Sequence, residues 1–351
     1  MSDERDEWLA AARALARAWS DRAEVADIAS LAGDASSRRY FRARLSGAPA
    51  PTAVLMVQSG SGLSISSDEL GSVVAAAEMP FLDVQRYLHS RAIAVPAVYG
   101  ADSARGLVLL EDLGDTTLWD AARAGDPAPL YRAAIDELVS LQRAGAQRPD
   151  ADCIAFRQRF DARLFAWELE HFIEYGFSGR RVAPRDLALL RERFEELARE
   201  LAAGPFALTH RDYHSWNLFV HQGKVRVIDF QDALLAPVAY DLATLLNDRA
   251  TPTLVDPLLE RALVAYFCER RALALGEPLD VEAFLPRYHL FVLQKSLKIV
   301  GRFHYLEAVK GKRGYVAMLP DTFATLRRCF DNLPALADVR ALLAPSFAEL
   351  A

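Results

Sequence analysis

The chain has 351 residues, 52% of them hydrophobic and 25% charged, which is enough for one large or two modest domains with a buried core. Its 41 basic and 47 acidic residues give a net charge of −6, without a basic patch or Lys-rich tail, and this disfavours nucleic acid as a partner. No apolar run approaches the roughly 18 residues that a membrane-spanning helix needs, and the acidic first residues do not have the pattern of a secretion signal.

The number and spacing of the cysteines indicate the redox state of the cellular compartment. Cys153, Cys268 and Cys329 are odd in number, far apart and without the spacing of a metal site. This pattern predicts reduced cysteines in the core. Reduced cysteines are typical of a cytoplasmic protein. Separately, we expect a monomer with no nucleic acid or membrane partner.

The N-terminal part predicts a small antiparallel sheet behind an opening helix. Trp8, Leu15 and Trp19 recur at helical spacing, and a second helix starts near Pro80, which a first turn tolerates well. Strands are predicted at residues 25–31, 40–45, 52–57, 96–100 and 106–110. The polar turn at residues 33–39 has small side chains that would let backbone N–H groups approach phosphate oxygens. One Gly and two Ser fit an ordinary hairpin equally well.

The composition changes after the segment Leu110-Glu111-Asp112-Leu113-Gly114. From residue 118 onward the chain is predicted to be helical apart from one hairpin. We therefore predict two domains, residues 1–112 and residues 113–351. A plain linker between the two domains is the alternative interpretation of this segment.

Helical periodicity dominates the second domain. Helices are predicted at residues 130–141, 156–172, 187–201, 258–269, 288–309 and 323–330. On the polar face of the second helix, Glu168, His171 and Glu174 are candidates for binding the hydroxyl groups of a substrate, although most of that face should be solvated. The lysines of residues 293–303 are expected to be solvated, whereas Arg302, beside a Gly and two aromatic residues, could contact a substrate.

The hairpin lies in residues 208–230, where two β-branched and apolar runs flank His221-Gln222-Gly223-Lys224. If the runs pair antiparallel, Asn217 at the start and Asp229 at the end lie side by side, and their oxygens suit a hard divalent cation. Asp212 lies five residues before Asn217. This is the spacing of phosphoryl-transfer loops, in which the Asp accepts the proton of the attacking hydroxyl and the Asn holds magnesium. A turn or cap role alone would not explain three polar residues at this spacing.

These residues resemble a known superfamily. His210-Arg211-Asp212, Asn217, Ile228-Asp229-Phe230 and Tyr240-Asp241-Leu242 are similar to the motifs of the aminoglycoside phosphotransferase and choline kinase superfamily. The runs 33–42, 109–114 and 229–233, the alternating acids at 168, 170 and 174, and the run 293–303 resemble the bacterial anomeric kinases for N-acetylmuramate and N-acetylglucosamine. The resemblance covers residues 33–320.

The resemblance implies an α+β, bilobal, protein-kinase-like fold with a small antiparallel-sheet N-lobe, a large mainly helical C-lobe, and ATP in the cleft. It implies transfer of the γ-phosphate to the anomeric hydroxyl of an amino sugar during peptidoglycan recycling. Asp212 would be the base, and Asn217 with Asp229 would bind Mg²⁺. Nucleotide contacts would come from Ser36, Ser37 and Arg39 near the phosphates and from the backbone of Glu111 and Leu113 at the adenine. The candidate substrate contacts are Asp34, Glu168, His171, Glu174 and Arg302.

One departure concerns the third strand, Val54-Leu55-Met56-Val57-Gln58, which lacks the Lys that usually holds the α- and β-phosphates. Arg38, Arg39 or Arg42 could supply the positive charge instead, with a different reach. Asp241, before an apolar helix, is expected to fix the catalytic loop by hydrogen bonds rather than to take part in the chemistry.

Two alternatives remain open from the residues. The first is a kinase for another small alcohol, such as an aminoglycoside, a choline-like or a homoserine-like compound. Tyr213, Trp216 and Trp167 could contribute to an aromatic cage for a choline-like cation, or could simply pack. The second is a non-catalytic nucleotide-binding module, which the missing Lys suggests and the presence of Asp212, Asn217 and Asp229 together disfavours.

Overall fold

The computed structural model describes residues 2–31, 38–58 and 79–350. In that part of the chain the strands are β1 (Glu24–Ser30), β2 (Arg38–Ser46), β3 (Thr52–Gln58), β4 (Val98–Asp102), β5 (Leu107–Glu111), β6 (Phe206–Thr209), β7 (Leu218–His221), β8 (Lys224–Val227) and β9 (Leu234–Pro237). The helices are α1 (Ser2–Trp19), α2 (Pro80–Ser90), α3 (Leu118–Ala124), α4 (Pro127–Gln147), α5 (Ala162–Gly176), α6 (Pro184–Leu201), α7 (Tyr240–Asn247), α8 (Pro257–Leu275), α9 (Val281–Ala308), α10 (Leu319–Asn332) and α11 (Ala337–Leu343).

The chain divides into two compact units. The N-terminal unit comprises Met1–Thr116 and Phe219–Asp232, and the C-terminal unit comprises Thr117–Leu218 and Ala233–Ala351. The first crossing lies close to the predicted boundary between residues 112 and 113. The grouping of Phe219–Asp232 with the N-terminal unit differs from the sequence-based division, which placed this hairpin in the second domain.

A five-stranded antiparallel sheet with the order β1-β2-β3-β5-β4 forms the N-terminal unit. Alternate apolar side chains of its strands, among them Phe41, Leu55 and Leu109, pack into one core with the apolar face of α1. Trp19 at the end of α1 stacks on Tyr99 of β4 with the ring centroids 3.9 Å apart. The predicted opening helix and small antiparallel sheet are confirmed.

The β7–β8 hairpin is tied to this sheet by side chains and backbone. The Arg226 guanidinium donates to Glu111 Oε2 at 2.6 Å and to the carbonyl of Val95 at 3.0 Å. The Val227 N–H donates to the carbonyl of Ala94 at 2.9 Å. These contacts explain why the hairpin belongs to the N-terminal unit although it follows some 100 residues of the other unit.

The C-terminal unit is mainly helical, as predicted. Its two-stranded antiparallel sheet pairs β6 with β9 and lies outside the predicted hairpin. The longest helix, α9, lies against α5, and the approach is closest at Gly301, where an added Cβ would lie 2.8 Å from Phe172 Cα. A residue without a side chain is therefore needed at this crossing.

The predicted burial of the three cysteines is confirmed in the described part of the chain. Cys153, Cys268 and Cys329 are buried and not in disulfides, and burial raises the pKa of the Cys268 thiol to about 12. None of the helices described has the length and apolar content that a bilayer crossing demands.

Candidate active site

The hairpin has the tight turn that the sequence predicts. Gln222 and Gly223 join β7 to β8 with φ values of 51° and 72°. Two successive positive φ angles are typical of the turns that connect two antiparallel strands with right-handed twist. Asp229, two residues after β8, also lies in the left-handed region with φ 63°, which Asp tolerates better than most residues.

Asp241 fixes the loop that contains His210, Arg211 and Asp212. Its carboxylate accepts hydrogen bonds from the N–H of His210 at 2.6 Å and from the N–H of Arg211 at 3.0 Å. These two bonds stabilise Arg211 at φ 80°, a strained conformation for a long side chain. The predicted positioning role of Asp241 is thereby confirmed. Burial raises the pKa of the Asp241 carboxyl to about 6.

Asp212 and Asn217 lie together at the other end of this loop. Asn217 Nδ2 donates to the backbone carbonyl of Asp212 at 3.0 Å. Because the amide nitrogen is used in this way, the side chain is oriented and Oδ1 is the atom left to ligate a cation. The loop therefore presents one carboxylate and one amide oxygen from its own unit.

The Asp212 carboxylate lies in positive surroundings. Burial alone would raise its pKa, but the charges of Lys295, Lys298 and Arg211 outweigh burial and hold the pKa of Asp212 well below its ordinary value. Asp212 is therefore ionised at neutral pH. An ionised carboxylate is the form that can accept a proton.

The lysines of α9 are not solvated, so this prediction is wrong. Lys295 is only 6% exposed, and its ammonium lies over the Tyr240 ring, 4.7 Å from the centroid. Lys298 forms an ion pair with Glu168, a residue with 0% exposure. The other Glu168 oxygen accepts from Gln294 Nε2 at 2.6 Å. The predicted substrate contact of Glu168 stays a prediction, and in the structure both its oxygens are used within the protein.

In the N-terminal unit, Asp229 pairs with Arg38. The guanidinium lies 3.1 Å from Asp229 Oδ1, with the Arg38 side chain 9% exposed and that of Asp229 37% exposed. Gln231 Nε2 donates to the same oxygen at 3.2 Å. Both contacts use Oδ1 of a partly exposed carboxylate. In the β2–β3 register Arg38 lies opposite Gln58, the last residue of β3.

The other two candidate arginines are engaged elsewhere. Arg39, the residue chosen from the sequence, forms an exposed ion pair with Glu4, because consecutive residues of β2 point to opposite faces. Arg42 holds Asp112 at 2.7 Å and Asp115 at 2.9 Å. The phosphate role of Arg39 stays a prediction.

The remaining nucleotide candidates fall in two groups. Asp34, Ser36 and Ser37 lie outside the described residues. The Glu111 carboxylate pairs with Arg226, and the Leu113 carbonyl accepts from His221 Nδ1 at 3.0 Å, which requires a proton on that nitrogen. The predicted adenine contacts of this segment stay predictions.

The last substrate candidates meet at the α5–α9 crossing. His171 lies within reach of the charges of Arg302, Lys298 and Glu174, and burial with the two cations lowers its pKa to about 4. Its ring packs against Tyr305 of α9, 5.4 Å between centroids. The structure thus brings His171 and Arg302 together within one unit.

Sequence reasoning missed Lys295 as a partner of this site. The sequence does contain an indication that Lys295 is buried. Little of α9 is polar around this residue, since the apolar residues nearby include 290–293, Leu297, Ile299 and Val300. A helix that is apolar nearly all round is buried, and a lysine within it must find negative or aromatic partners.

The sequence of most of the chain resembles that of known phosphotransferases. The sequence pattern of the phosphotransferase enzyme family matches residues 27–277, more than half of the chain. The chain belongs to the phosphotransferase enzyme family. This phosphotransferase is 32% identical over 345 residues to the N-acetylmuramate/N-acetylglucosamine kinase of Caulobacter vibrioides, with 89% of this chain and 90% of the relative covered.

Solved structures of low identity share its fold. The choline kinase of Cryptosporidium parvum superposes with a TM-score of 0.64 at 12% identity, covering 96% of this chain and 97% of its own. The amicoumacin kinase hAmiN, in complex with AMP-PNP, Ca²⁺ and Ami, superposes with a TM-score of 0.59 at 16% identity, covering 88% and 90%. At these identities the likeness shows the fold, and it confirms the predicted protein-kinase-like class for this phosphotransferase.

Proposed function

We propose that this phosphotransferase is an ATP- and Mg²⁺-dependent kinase that phosphorylates the anomeric hydroxyl of an amino sugar, N-acetylmuramate or N-acetylglucosamine, to a sugar 1-phosphate. The observation that carries the proposal is the ionised Asp212 on a loop fixed by Asp241 and adjoining Asn217. The similarity to the Caulobacter vibrioides kinase supports the choice of sugar. A cytoplasmic location and a monomeric state stay predictions.

In the proposed reaction, Asp212 orients the sugar hydroxyl and accepts its proton. The hydroxyl oxygen forms a bond to the γ-phosphorus as the bond between that phosphorus and the β–γ bridging oxygen breaks, and ADP leaves. An anomeric hydroxyl is more acidic than an ordinary alcohol, so a carboxylate with a low pKa is a sufficient base. Positioning and charge neutralisation supply most of the rate in such reactions.

The proposed metal ligands are Asn217 Oδ1 and the Asp229 carboxylate. Both are hard oxygen donors, and Mg²⁺ in kinases is commonly held by one or two such groups together with phosphate oxygens. One amide oxygen and one carboxylate are donors of the type that Mg²⁺ accepts, with phosphate oxygens and water completing its coordination. When bound, Mg²⁺ neutralises charge on the phosphates.

Arg38 is the proposed substitute for the missing third-strand Lys. It is the buried member of the three candidate arginines and lies on Asp229, whereas Arg39 and Arg42 face other carboxylates. A guanidinium presents two parallel donors, which suits phosphate oxygens. The backbone of Glu111 and Leu113 and the side chains of Ser36 and Ser37 remain proposed nucleotide contacts.

A choline-like acceptor is less well supported. Tyr213 is fully buried, and its hydroxyl donates to the Ala134 carbonyl at 2.8 Å. Trp216 stacks on Trp119, and the Arg249 guanidinium lies 5.1 Å from a Trp216 ring centroid. Tyr213 and Trp216 thus have protein partners already, and Trp167 is the one of the three candidate rings that is exposed, so the three do not form an open cage for a quaternary ammonium.

The decisive assay measures ATP turnover with reducing amino sugars, each beside its 1-O-methyl glycoside. We expect turnover on N-acetylmuramate or N-acetylglucosamine and none on the methyl glycosides, because the methyl group blocks the attacking oxygen. Turnover on a methyl glycoside would move the reaction to another hydroxyl. Turnover only on kanamycin-type compounds or choline would replace the sugar, and nucleotide binding without any turnover would indicate a non-catalytic module.

A further inference from the structure

A strip of aromatic rings runs along α5 within the C-terminal unit. Trp167, His171 and Tyr175 follow at four-residue intervals, with ring centroids 5.6 Å apart for the first pair and 4.7 Å for the second. Tyr305 of α9 closes the strip, at 5.0 Å from Tyr175. Trp167 is exposed and the other three rings are partly exposed. We call these four residues the aromatic strip.

A guanidinium borders the strip. Arg302 lies over the Tyr305 ring at 5.2 Å from the centroid, and it forms no ion pair with any carboxylate in the described parts of the chain. Its neighbour Lys298, one turn earlier, is taken by Glu168. Arg302 is therefore a guanidinium at this surface that can pair with an incoming anion.

His171 adds an unused polar atom. Its Nε2 is buried and has no hydrogen-bond partner within the described residues. The lowered pKa leaves the ring neutral near pH 7, so Nε2 can exchange a hydrogen bond with a hydroxyl or amide group. A buried polar atom without a partner in the protein is typical of a place where a ligand or water completes the bond.

The strip is connected to the catalytic loop by charged residues of α9. Lys295, Lys298 and Arg302 recur at helical spacing on one face, and the first two act electrostatically on Asp212. Seven residues of helix separate Lys295 from Arg302, a rise of about 10 Å. That distance is comparable to the length of one substituted hexose, so a sugar placed at Asp212 could extend to Arg302.

We propose that Arg302 binds the carboxylate of the lactyl ether of N-acetylmuramate while the aromatic strip packs against the sugar. This rests on the proposed function. The two named acceptor sugars differ by that lactyl group, which only N-acetylmuramate carries. Arg302 is thus a specificity residue that favours the anionic sugar, and the apolar ring faces of the strip serve both sugars.

The test compares kcat/KM for the two sugars in wild type, Arg302→Ala, Arg302→Lys and, as a matched control, Lys310→Ala. Lys310 is an exposed cation that also lies near Tyr305, 5.8 Å from the centroid. We expect Arg302→Ala to lower the ratio of kcat/KM for N-acetylmuramate over N-acetylglucosamine at least tenfold. Arg302→Lys should restore part of the ratio, because it keeps the charge without the paired donors, and Lys310→Ala should leave it within twofold.

Calorimetry measures the binding of both sugars to the same proteins, and thermal unfolding shows whether each variant is folded. Together they distinguish a loss of binding from a loss of turnover or of folding. An equal loss for both sugars in Arg302→Ala, no loss for either, or the same ratio change in Lys310→Ala would overturn the assignment of Arg302. A wild type that binds N-acetylmuramate through Arg302 but turns over neither sugar would support the assignment and refute the proposed function.

Discussion

At the scale of single residues, the site depends on how two carboxylates respond to burial. Asp212 is surrounded by cations, which keep it ionised, whereas burial raises the pKa of Asp241 to about 6. The ionised form of Asp212 suits a base that accepts a proton. The raised pKa of Asp241 results from burying the carboxylate that holds two backbone N–H groups of a strained loop. The same residue type thus has different protonation behaviour on the loop, at Asp212, and in the first turn of α7, at Asp241.

Asp212→Ala should lower kcat by about 10²–10⁴-fold, because the variant has no group to accept the hydroxyl proton. The protein should stay folded, since Lys298 keeps its ion pair with Glu168 and Lys295 keeps its contact with the Tyr240 ring. Steady-state turnover and thermal unfolding measure the two effects. Glu192→Ala, an exposed carboxylate of α6 in the same unit, is the control and should match wild type. A folded Asp212→Ala variant with full activity would remove Asp212 from the mechanism.

Asp241→Asn should change how stability depends on pH. The pKa of Asp241 is raised from 3.8 to about 6 in the folded protein, so its contribution to stability is complete below the ordinary value and is lost as pH rises through 6. The neutral Asn does not titrate. Relative to this variant, wild type should therefore lose up to about 3 kcal/mol between pH 4 and pH 7. Urea unfolding at several pH values measures the difference, and a constant difference would contradict the raised pKa.

At the scale of elements, the α5–α9 crossing sets the geometry of the C-terminal unit. Gly301 allows the two backbones to approach closely, and this approach brings the aromatic ring of Tyr305 to His171. The ion pair of Lys298 with Glu168 lies on the same crossing. Close packing therefore positions the charged groups around Asp212.

Gly301→Ala should destabilise the protein by about 1–3 kcal/mol, because the new Cβ would meet backbone atoms of α5 that cannot rotate away. The nearest are Phe172 Cα at 2.8 Å and the His171 carbonyl oxygen at 2.9 Å. Gly125→Ala is the matched control, with extended backbone and nothing within 4 Å of its added Cβ. Chemical denaturation should show a change of less than about 0.5 kcal/mol for that control. Equal effects of the two substitutions would show that the crossing is not tight.

At the scale of the whole molecule, the residues proposed for catalysis come from both compact units. Asp212 and Asn217 belong to the C-terminal unit, and Arg38 and Asp229 belong to the N-terminal unit. The chain passes from the catalytic loop into the β7–β8 hairpin and back within about 25 residues. Sequence neighbours are thereby distributed between units that each have their own core.

Binding of a non-hydrolysable ATP analogue should stabilise the protein in a Mg²⁺-dependent way. At about 100 times Kd, binding contributes about 2.7 kcal/mol, seen as a rise in Tm. Removal of Mg²⁺ with EDTA should reduce the rise, and Asp229→Asn should lose the Mg²⁺-dependent part. Glu24→Gln, an exposed carboxylate on β1, should behave as wild type. A rise in Tm that ignores both EDTA and Asp229→Asn would show that Asp229 does not hold the ion.

The spacing of Asp212, Asn217 and Asp229, the hairpin and most helices could be predicted from the sequence, because local periodicity and turn chemistry determine them. The pairing of β9 with β6 could not, since four apolar residues carry no register signal. The burial of Lys295 and Glu168 was also missed, because helical polar faces are usually solvated and these two residues are covered by partners on other helices, Tyr240 of α7 and Lys298 of α9.

Arg38 and Arg39 show most clearly which features the sequence determines and which depend on the tertiary structure. The sequence by itself determined the loop motif, the family resemblance and the absence of a Lys from the third strand, and it offered three arginines of the second strand as alternatives. Only the tertiary structure decided that Arg38 faces Asp229 while Arg39 faces Glu4. The physical reason is that strand alternation sends neighbours to opposite faces, and which face meets the acidic group depends on how distant segments pack.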